Sequence, residues 1–160
     1  MCGVMIVLYG LFTGGIGEAQ EKDKISIGIL EDVVLLPWGV KVPARVDTGA
    51  ATTSLDAREL VVKDEIAEFK LPEKYGGTKI SLPVVRWREV RSASGLQRRP
   101  VVEIRICVGP KVVRTKVNLV DRSRMSYPII IGRNVLRRGY VVDCLCSNIL
   151  KPSCPEVGTK

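Results

Sequence analysis

Short apolar segments separated by turn-forming residues run through most of this 160-residue chain. Between Val40 and Val46, apolar and polar side chains alternate with the period of two that is typical of a β-strand with one buried face. The same alternation from Val102 to Val108 and from Val113 to Leu119, with Gly109-Pro110 between them, predicts a β-hairpin. Ile129 to Ile131 is an unbroken apolar run, which predicts a strand buried on both faces.

The remaining segments predict a mainly β domain with one short C-terminal helix. Further strands are expected at Lys24–Leu36, Lys79–Val90, Pro100–Val108 and Tyr140–Asp143, and the short helix at Arg133–Arg138, ended by Gly139. Asp64 to Glu73 is polar enough for a short helix or a surface excursion. We expect one domain over residues 20–147, followed by a loose C-terminal tail over residues 148–160.

The first nineteen residues differ from the rest of the chain. The apolar run from Val4 to Phe12 is followed by small residues up to Ala19, as in a secretory signal peptide. The run is too short for a bilayer span, which needs about 20 residues. No Lys or Arg precedes it, so a late start site or an ordinary buried strand are alternatives. The expectation is a periplasmic or secreted protein, or a cytoplasmic one if this segment is not a signal peptide.

The cysteines leave their pairing open. Without residues 1–19 four remain, Cys107, Cys144, Cys146 and Cys154, and an even number in an exported protein suggests disulfides. Alternatively, Cys107 is a small apolar strand residue and the other three are free thiols. Zinc is disfavoured because the spacing lacks the paired Cys-x2-Cys of structural zinc sites. No metal or cofactor is expected.

The absence of histidine narrows the possible chemistry. It removes Ser-His-Asp and Cys-His catalysis and most catalytic zinc sites. The dipeptide Gly-Lys never occurs, so there is no phosphate-binding loop of the Gly-Lys-Ser/Thr type. If the chain is an enzyme, carboxylates are the best remaining catalytic groups.

Asp47 is the leading catalytic candidate because it follows a strand in the sequence Asp47-Thr48-Gly49. Carboxylate-only amide hydrolysis requires two carboxylates that share one proton, one activating water and the other polarising the carbonyl. Asp-Thr-Gly occurs once, so the second carboxylate must be Asp47 of an identical subunit. Thr48 would hold the loop through its hydroxyl, and Gly49 would permit a tight turn. The alternative is an ordinary turn with no catalytic role.

Four segments resemble the retropepsin-like proteins of the RimB type, a family also known by the name ATP-dependent zinc protease. The segments are Val46-Asp47-Thr48-Gly49-Ala50-x-Thr52-x-Ser54-Leu55, Ser94-Gly95-x3-Arg99-Pro100-Val101, Leu119-Val120-Asp121-Arg122-x2-Met125-x-Tyr127-Pro128-Ile129-Ile130-Ile131-Gly132-Arg133-x2-Leu136, and Val141-Val142-Asp143. The resemblance covers most of the chain from about Ile27 to Asp143. One departure is Ala51, where the family is expected to have Arg.

The resemblance implies an Asp47-based aspartic peptidase with a closed, retropepsin-like β-barrel. It also implies a link to ATP-grasp ligases that add glutamate tails, and therefore an acidic peptide substrate. Neither the "zinc" nor the "ATP-dependent" part of the family name is supported by this sequence, which has no histidine and no phosphate loop.

Basic residues are concentrated in the second half of the chain. Between Arg86 and Arg138 there are fourteen Lys or Arg against three acidic residues, within a formal net charge of +8. An acidic partner is therefore expected. Arg99, Arg122 and Arg133 lie in the matched segments and are candidates to bind substrate carboxylates, together with Ser94 and Gly95 in a flap-like hairpin. Structural ion pairs with Asp121 or Asp143 are the alternative for these arginines.

The rival function is a non-catalytic module of the same fold that docks an acidic partner through its basic face. Nucleic acid is disfavoured as that partner because aromatic residues make up only 5% of the chain.

Overall fold

The computed structural model of the protein describes residues 24–92 and 95–155. The predicted signal peptide and Ser94 therefore lie outside the described residues. Mainly β structure with one short α-helix is confirmed. The elements are β1 (Ile25–Ile27), β2 (Leu30–Leu36), β3 (Val40–Val46), β4 (Thr53–Asp56), β5 (Arg58–Lys63), β6 (Ile66–Lys70), a 3-10 turn (Glu73–Tyr75), β7 (Lys79–Pro83), β8 (Arg86–Ser92), β9 (Gly95–Val108), β10 (Lys111–Val120), β11 (Ile129–Ile131), α1 (Arg133–Leu136) and β12 (Tyr140–Val142).

In the main sheet, the first strand in the order also pairs with the sixth. The order is β10-β4-β11-β3-β2-β9-β8, and β9 pairs with β10 as well. The pairings thus run through a ring of six strands, with β8 added outside it along β9. Full closure as a retropepsin-like barrel stays a prediction.

The core of the ring is formed by the alternating strands that the sequence pattern predicts. Val42 and Ala44 of β3, Val102 and Ile106 of β9, and Ile129 are all buried. The β9–β10 hairpin is confirmed, with Lys111 opposite Val108 and Asn118 opposite Val101. Ile129 to Ile131 lies between β3 and β4. Ile129 and Ile131 are buried and Ile130 is half-buried, so the predicted burial of both faces is only partly observed.

A second, three-stranded sheet corrects the prediction for residues 64–73. The order is β5-β6-β7, so a helix there was wrong. Ala67 and Phe69 of β6 are buried while Glu68 between them is exposed, which is strand alternation. Asp64 and Glu65 both adopt positive φ at the β5–β6 turn. That turn type normally carries Asn or Gly, so Asp-Glu gives no clear turn pattern.

The C-terminal segment is fixed rather than loose, which corrects the prediction for residues 148–155. Cys107 on β9 forms a disulfide with Cys154, and Cys144 and Cys146 are free thiols. Cys107 and Cys154 are therefore not free thiols, and the pairing removes Cys154 from any zinc site. The Ser153 amide also donates to the Gly109 carbonyl at 2.9 Å.

Glu31 is buried beneath this segment and holds it through backbone amides. Its Oε1 accepts from Gly28 at 2.7 Å and Ile149 at 3.3 Å, and its Oε2 accepts from Leu150 at 2.9 Å. Gly28 is required here, since a Cβ would lie 2.6 Å from the Cys146 carbonyl oxygen. Nearby, β1 pairs in parallel with β12.

No helix within residues 24–92 and 95–155 is long and apolar enough to cross a membrane.

Candidate active site

Asp47 lies immediately after β3, where the backbone leaves the sheet. Its amide donates to the Ile131 carbonyl at 3.0 Å, and the Val46 amide donates to the Ile29 carbonyl at 2.9 Å. The end of β3 is thus held between β11 and the residues that follow β1. Both neighbours are fixed by the fold, so the loop starts from a rigid position.

The Asp47 carboxylate is half-buried, and its two oxygens differ. The amides of Gly49 and Ala50 donate to Oδ1 at 2.9 and 3.1 Å. Within the described part of the chain, no group donates to Oδ2. Gly49 permits this arrangement by close approach, since a Cβ there would lie 3.1 Å from Oδ1. One oxygen orients the carboxylate, and the other has no hydrogen-bond partner among residues 24–92 and 95–155.

The start of α1 fastens the far side of the loop. Arg133 donates from its backbone amide to the Ala50 carbonyl, and from Nη1 to the carbonyls of Thr48 and Gly49, all at 2.8 Å. Gly132 before it must lack a side chain, because a Cβ would lie 2.6 Å from the Thr52 carbonyl carbon. Arg133 therefore holds the Asp47 loop through backbone carbonyls, and Gly132 allows the close approach of the chain at Thr52.

Asn134 extends this support and was missed by sequence reasoning. Its Oδ1 accepts from the Thr53 amide at 2.9 Å and the Thr53 hydroxyl at 3.0 Å. Its Nδ2 donates to the Thr115 hydroxyl at 2.6 Å and the Lys116 carbonyl at 2.8 Å. The position directly after Ile131-Gly132-Arg133 was the available indication. Asn134 joins β4, β10 and α1 behind the loop.

Arg122 interacts electrostatically with Asp47 and with two further arginines, Arg99 and Arg45. Burial lowers the pKa of Arg122; Asp56 and Asp47 oppose this, while Arg99 and Arg45 add to it. Burial also lowers the pKa of Arg99, whose Nε and Nη2 donate to the Gln97 side-chain oxygen at 3.1 and 2.6 Å. Sequence reasoning selected Arg99 and Arg122 but missed Arg45. Arg45 is exposed on β3, two residues before Asp47.

A family model for RimB-like proteins, described as "Retropepsin-like aspartic endopeptidase RimB", matches residues 26–152. The chain belongs to the RimB-like family. The crystal structure of Lpg0085, a protein of unknown function from Legionella pneumophila subsp. pneumophila str. Philadelphia 1, is similar, with a TM-score of 0.68 and 29% identity. That similarity covers 79% of this chain and 98% of the Legionella chain.

A curated relative is the "Probable alpha-L-glutamate ligase" of Parasynechococcus marenigrum (strain WH8102). It is 30% identical over 130 residues, which cover 75% of this chain. The chain spans 28% of the length of that relative.

The sequence also proposed Arg122, Gly95 and Thr48 for the site of this RimB-like chain, and each has its own set of contacts. Arg122 donates from Nε to the Tyr127 carbonyl at 3.0 Å, and its amide donates to Asp56 Oδ1 at 2.8 Å. The salt bridge to Asp121 comes from Arg58, at 3.9 Å. Gly95 has a φ of +104° and opens β9. The Thr48 hydroxyl has no hydrogen-bond partner within the described residues.

Two carboxylates in the described part of this RimB-like chain are buried, Glu31 and Asp56, and both are already committed to the fold. Glu31 accepts three backbone amides, and Asp56 binds Arg58 Nη2 at 2.7 Å together with the Arg122 amide. Residues 24–92 and 95–155 contain no group of three or more Cys, Asp or Glu side chains placed to hold a metal ion. Neither of these two carboxylates is available to pair with Asp47.

Proposed function

We propose that this RimB-like protein is an aspartic peptidase that hydrolyses peptide bonds in acidic, glutamate-rich peptides, using Asp47 from each of two identical subunits. The observation that carries the proposal is the state of the Asp47 carboxylate. Its Oδ1 is oriented by two loop amides, while its Oδ2 has no partner within the described residues. A carboxylate that is held in place through one oxygen, with the other oxygen able to exchange a proton, suits general acid–base catalysis.

The mechanism follows from pairing two such carboxylates. At close range the repulsion between two negative charges disfavours ionisation of both carboxylates, so they share one proton and titrate as a unit. The ionised member takes a proton from the attacking water, and the protonated member donates to the carbonyl oxygen of the scissile amide. Arg133 and Gly132 keep each loop in place for this exchange.

An exposed apolar group near the Asp47 loop supports the dimer. Leu145 is 96% exposed, and Ile29, Val141 and Ile149 are each more than two-fifths exposed. The Ile29 carbonyl accepts from the Val46 amide next to Asp47, and the Ile29 amide donates to the Cys146 carbonyl, both at 2.9 Å. Burying these side chains against a second copy would bring two Asp47 loops toward one axis.

The arginines around Asp47 support an acidic substrate. Arg122 interacts electrostatically with the Asp47 carboxylate, and Arg45 and Arg99 lie close enough to Arg122 to affect its pKa. Guanidinium groups bind carboxylates through paired hydrogen bonds. The name of the curated relative, an alpha-L-glutamate ligase, connects a similar sequence with glutamate. A peptide carrying glutamate side chains near its scissile bond fits this surface.

A periplasmic or secreted location is part of the proposal. The Cys107–Cys154 disulfide closes a 47-residue separation, and such bonds persist in oxidising compartments.

The test of catalysis is Asp47→Asn, assayed on a glutamate-rich peptide library between acidic and neutral pH. Loss of the base should lower turnover by roughly 10³-fold. Asp64→Asn, at the exposed β5–β6 turn, is the matched control and should retain activity. Full activity in Asp47→Asn would exclude the mechanism. Glutamate-peptide binding without turnover in the wild type would favour the non-catalytic docking module.

The test of the dimer is Leu145→Glu, followed by sedimentation and activity. A charge buried in the proposed interface should dissociate the dimer and lower activity by more than about 10²-fold at low enzyme concentration. Val61→Glu, at a position 60% exposed on β5, is the control and should remain dimeric. A wild-type enzyme that turns over as a strict monomer would exclude the shared site.

A further inference from the structure

We infer that a second, basic site beside the Asp47 loop binds the side-chain carboxylates of the same acidic peptide, within about five residues of the scissile bond. The site, called the basic groove below, is an open cleft of about 220 Å³. It is lined by Thr52, Arg86, Lys116, Asn134 and Arg138, and by the pair Glu103 and Arg114. The inference rests on the proposed function for its substrate class.

The basic groove carries more positive charge than its own residues neutralise. Its lining contains four cationic side chains and one carboxylate, Glu103. That carboxylate is bound by Arg114, although Lys116 lies opposite it on β10. Within the described residues, no carboxylate lies within ion-pair distance of Arg86, Lys116 or Arg138. The three charges are available to an anionic ligand.

The position of the basic groove ties it to the catalytic loop. Thr52 lines it, and five residues from Asp47 span at most about 17 Å. Arg88 donates to the Thr52 hydroxyl, and Asn134 both lines the groove and supports Thr53. An extended peptide rises about 3.3 Å per residue, so at most about five residues are needed to reach from a scissile bond at Asp47 to the groove.

The chemistry of the lining favours a peptide with several carboxylates. Two arginines can form paired bonds to carboxylates, and a lysine adds a point charge. An adjoining cleft shares Glu103, Arg114 and Arg138 and adds Lys111, which extends the positive surface. No aromatic side chain lines either cleft, so stacking of nucleic-acid bases has no platform there.

The binding experiment uses the full chain with Asp47→Asn, so that peptides are not cleaved. Fluorescence anisotropy would compare labelled peptides of four and ten glutamates. Adding Arg86→Gln and Lys116→Gln should weaken decamer binding about tenfold and tetramer binding much less, because only the decamer reaches the groove. The matched control combines Arg137→Gln and Lys63→Gln, which remove two exposed charges outside this groove.

Turnover separates the groove from the catalytic proposal. With Asp47 intact, the same double change should lower the preference for the decamer over the tetramer about tenfold, mainly through KM. If the double change in the groove does not alter cleavage of the decamer, the groove proposal is wrong, whereas the peptidase proposal is unaffected. If decamer binding depends on the groove residues but no peptide is cleaved, the peptidase proposal is wrong, whereas the groove proposal is unaffected.

Two further outcomes would overturn the groove. One is an equal loss of decamer binding in the Arg137→Gln, Lys63→Gln control, which would mean a general effect of net charge. The other is displacement of the decamer by inorganic phosphate at equal charge concentration, which would mean a site for small anions rather than for an acidic chain.

Discussion

Asp47 and Glu31 are carboxylates in two regions of the same ring, and they are used in opposite ways. Glu31 is 1% exposed, and both of its oxygens accept backbone amides. Asp47 is half-buried, and its Oδ1 alone accepts amides from the described residues. Both oxygens of Glu31 are used to hold the chain through backbone amides, whereas Asp47 keeps one oxygen that accepts no amide from the described residues.

The groups that hold the backbone also differ between the two regions. Around Glu31 the chain is fastened by a charged side chain and a disulfide, which fix the surface proposed for the dimer. Around Asp47 the supports are Gly132, Arg133 and Asn134, which bind backbone carbonyls and hydroxyls without occupying the carboxylate. Substitutions around Glu31 should therefore affect stability and the proposed dimer, whereas substitutions around Asp47 should affect the proposed catalytic step.

Removing the Cys107–Cys154 disulfide should have the largest effect on stability. For a separation of 47 residues, the loop-entropy model gives a loss of about 4 kcal/mol in the free energy of unfolding. Cys107→Ser with Cys154→Ser, measured by urea denaturation, checks this value. The double change Cys144→Ser with Cys146→Ser is the control, because both are free thiols. Equal destabilisation by the control pair would contradict the assignment.

The two crowded glycines allow a matched comparison of the regions. An added Cβ would approach backbone atoms to 2.6 Å at both Gly28 and Gly132, so each Gly→Ala change should cost about 3 kcal/mol. The functional effects should differ. Gly132→Ala displaces the catalytic loop and should lower kcat about tenfold or more at any enzyme concentration. Gly28→Ala should lower activity mainly at low concentration, by weakening the dimer.

Urea midpoints and activity across a hundredfold range of enzyme concentration check the glycine pair. Gly28 contacts the Cys146 and Ser147 backbone, beside the exposed Leu145. A loss of kcat in Gly28→Ala that high enzyme concentration fails to restore would show that the two regions are not separable.

How far the sequence predicts the molecule depends on whether a feature is local. Alternation from Val102 to Leu119 predicted the central hairpin, because burial of one face repeats every second residue. Asp47 was selected because its motif is contiguous. Arg45 and Asn134 were missed because their roles depend on residues distant in the chain, such as Arg122 and Thr115.

The wrong prediction of a loose C-terminal segment has the same origin. The segment after residue 147 has few apolar residues and was expected to be loose, yet it is held by Glu31 and Cys107, more than forty residues earlier in the sequence. The pairing of Cys107 with Cys154 could not be chosen from spacing alone, since four cysteines allow three pairings. Long-range partners of this kind require the fold.

The smallest effect, and the sharpest comparison, comes from the same chemical change at both carboxylates. Glu31→Gln should cost about 2 kcal/mol, because the new amide nitrogen faces a backbone donor at one of the two oxygen positions. Asp47→Asn should cost less than about 0.5 kcal/mol, since the amide oxygen can replace Oδ1 and Oδ2 has no partner in the described subunit. Urea denaturation of both variants measures the difference. Equal costs would mean that Asp47, like Glu31, is committed to the fold, and that its half-free carboxylate is not the basis of a function.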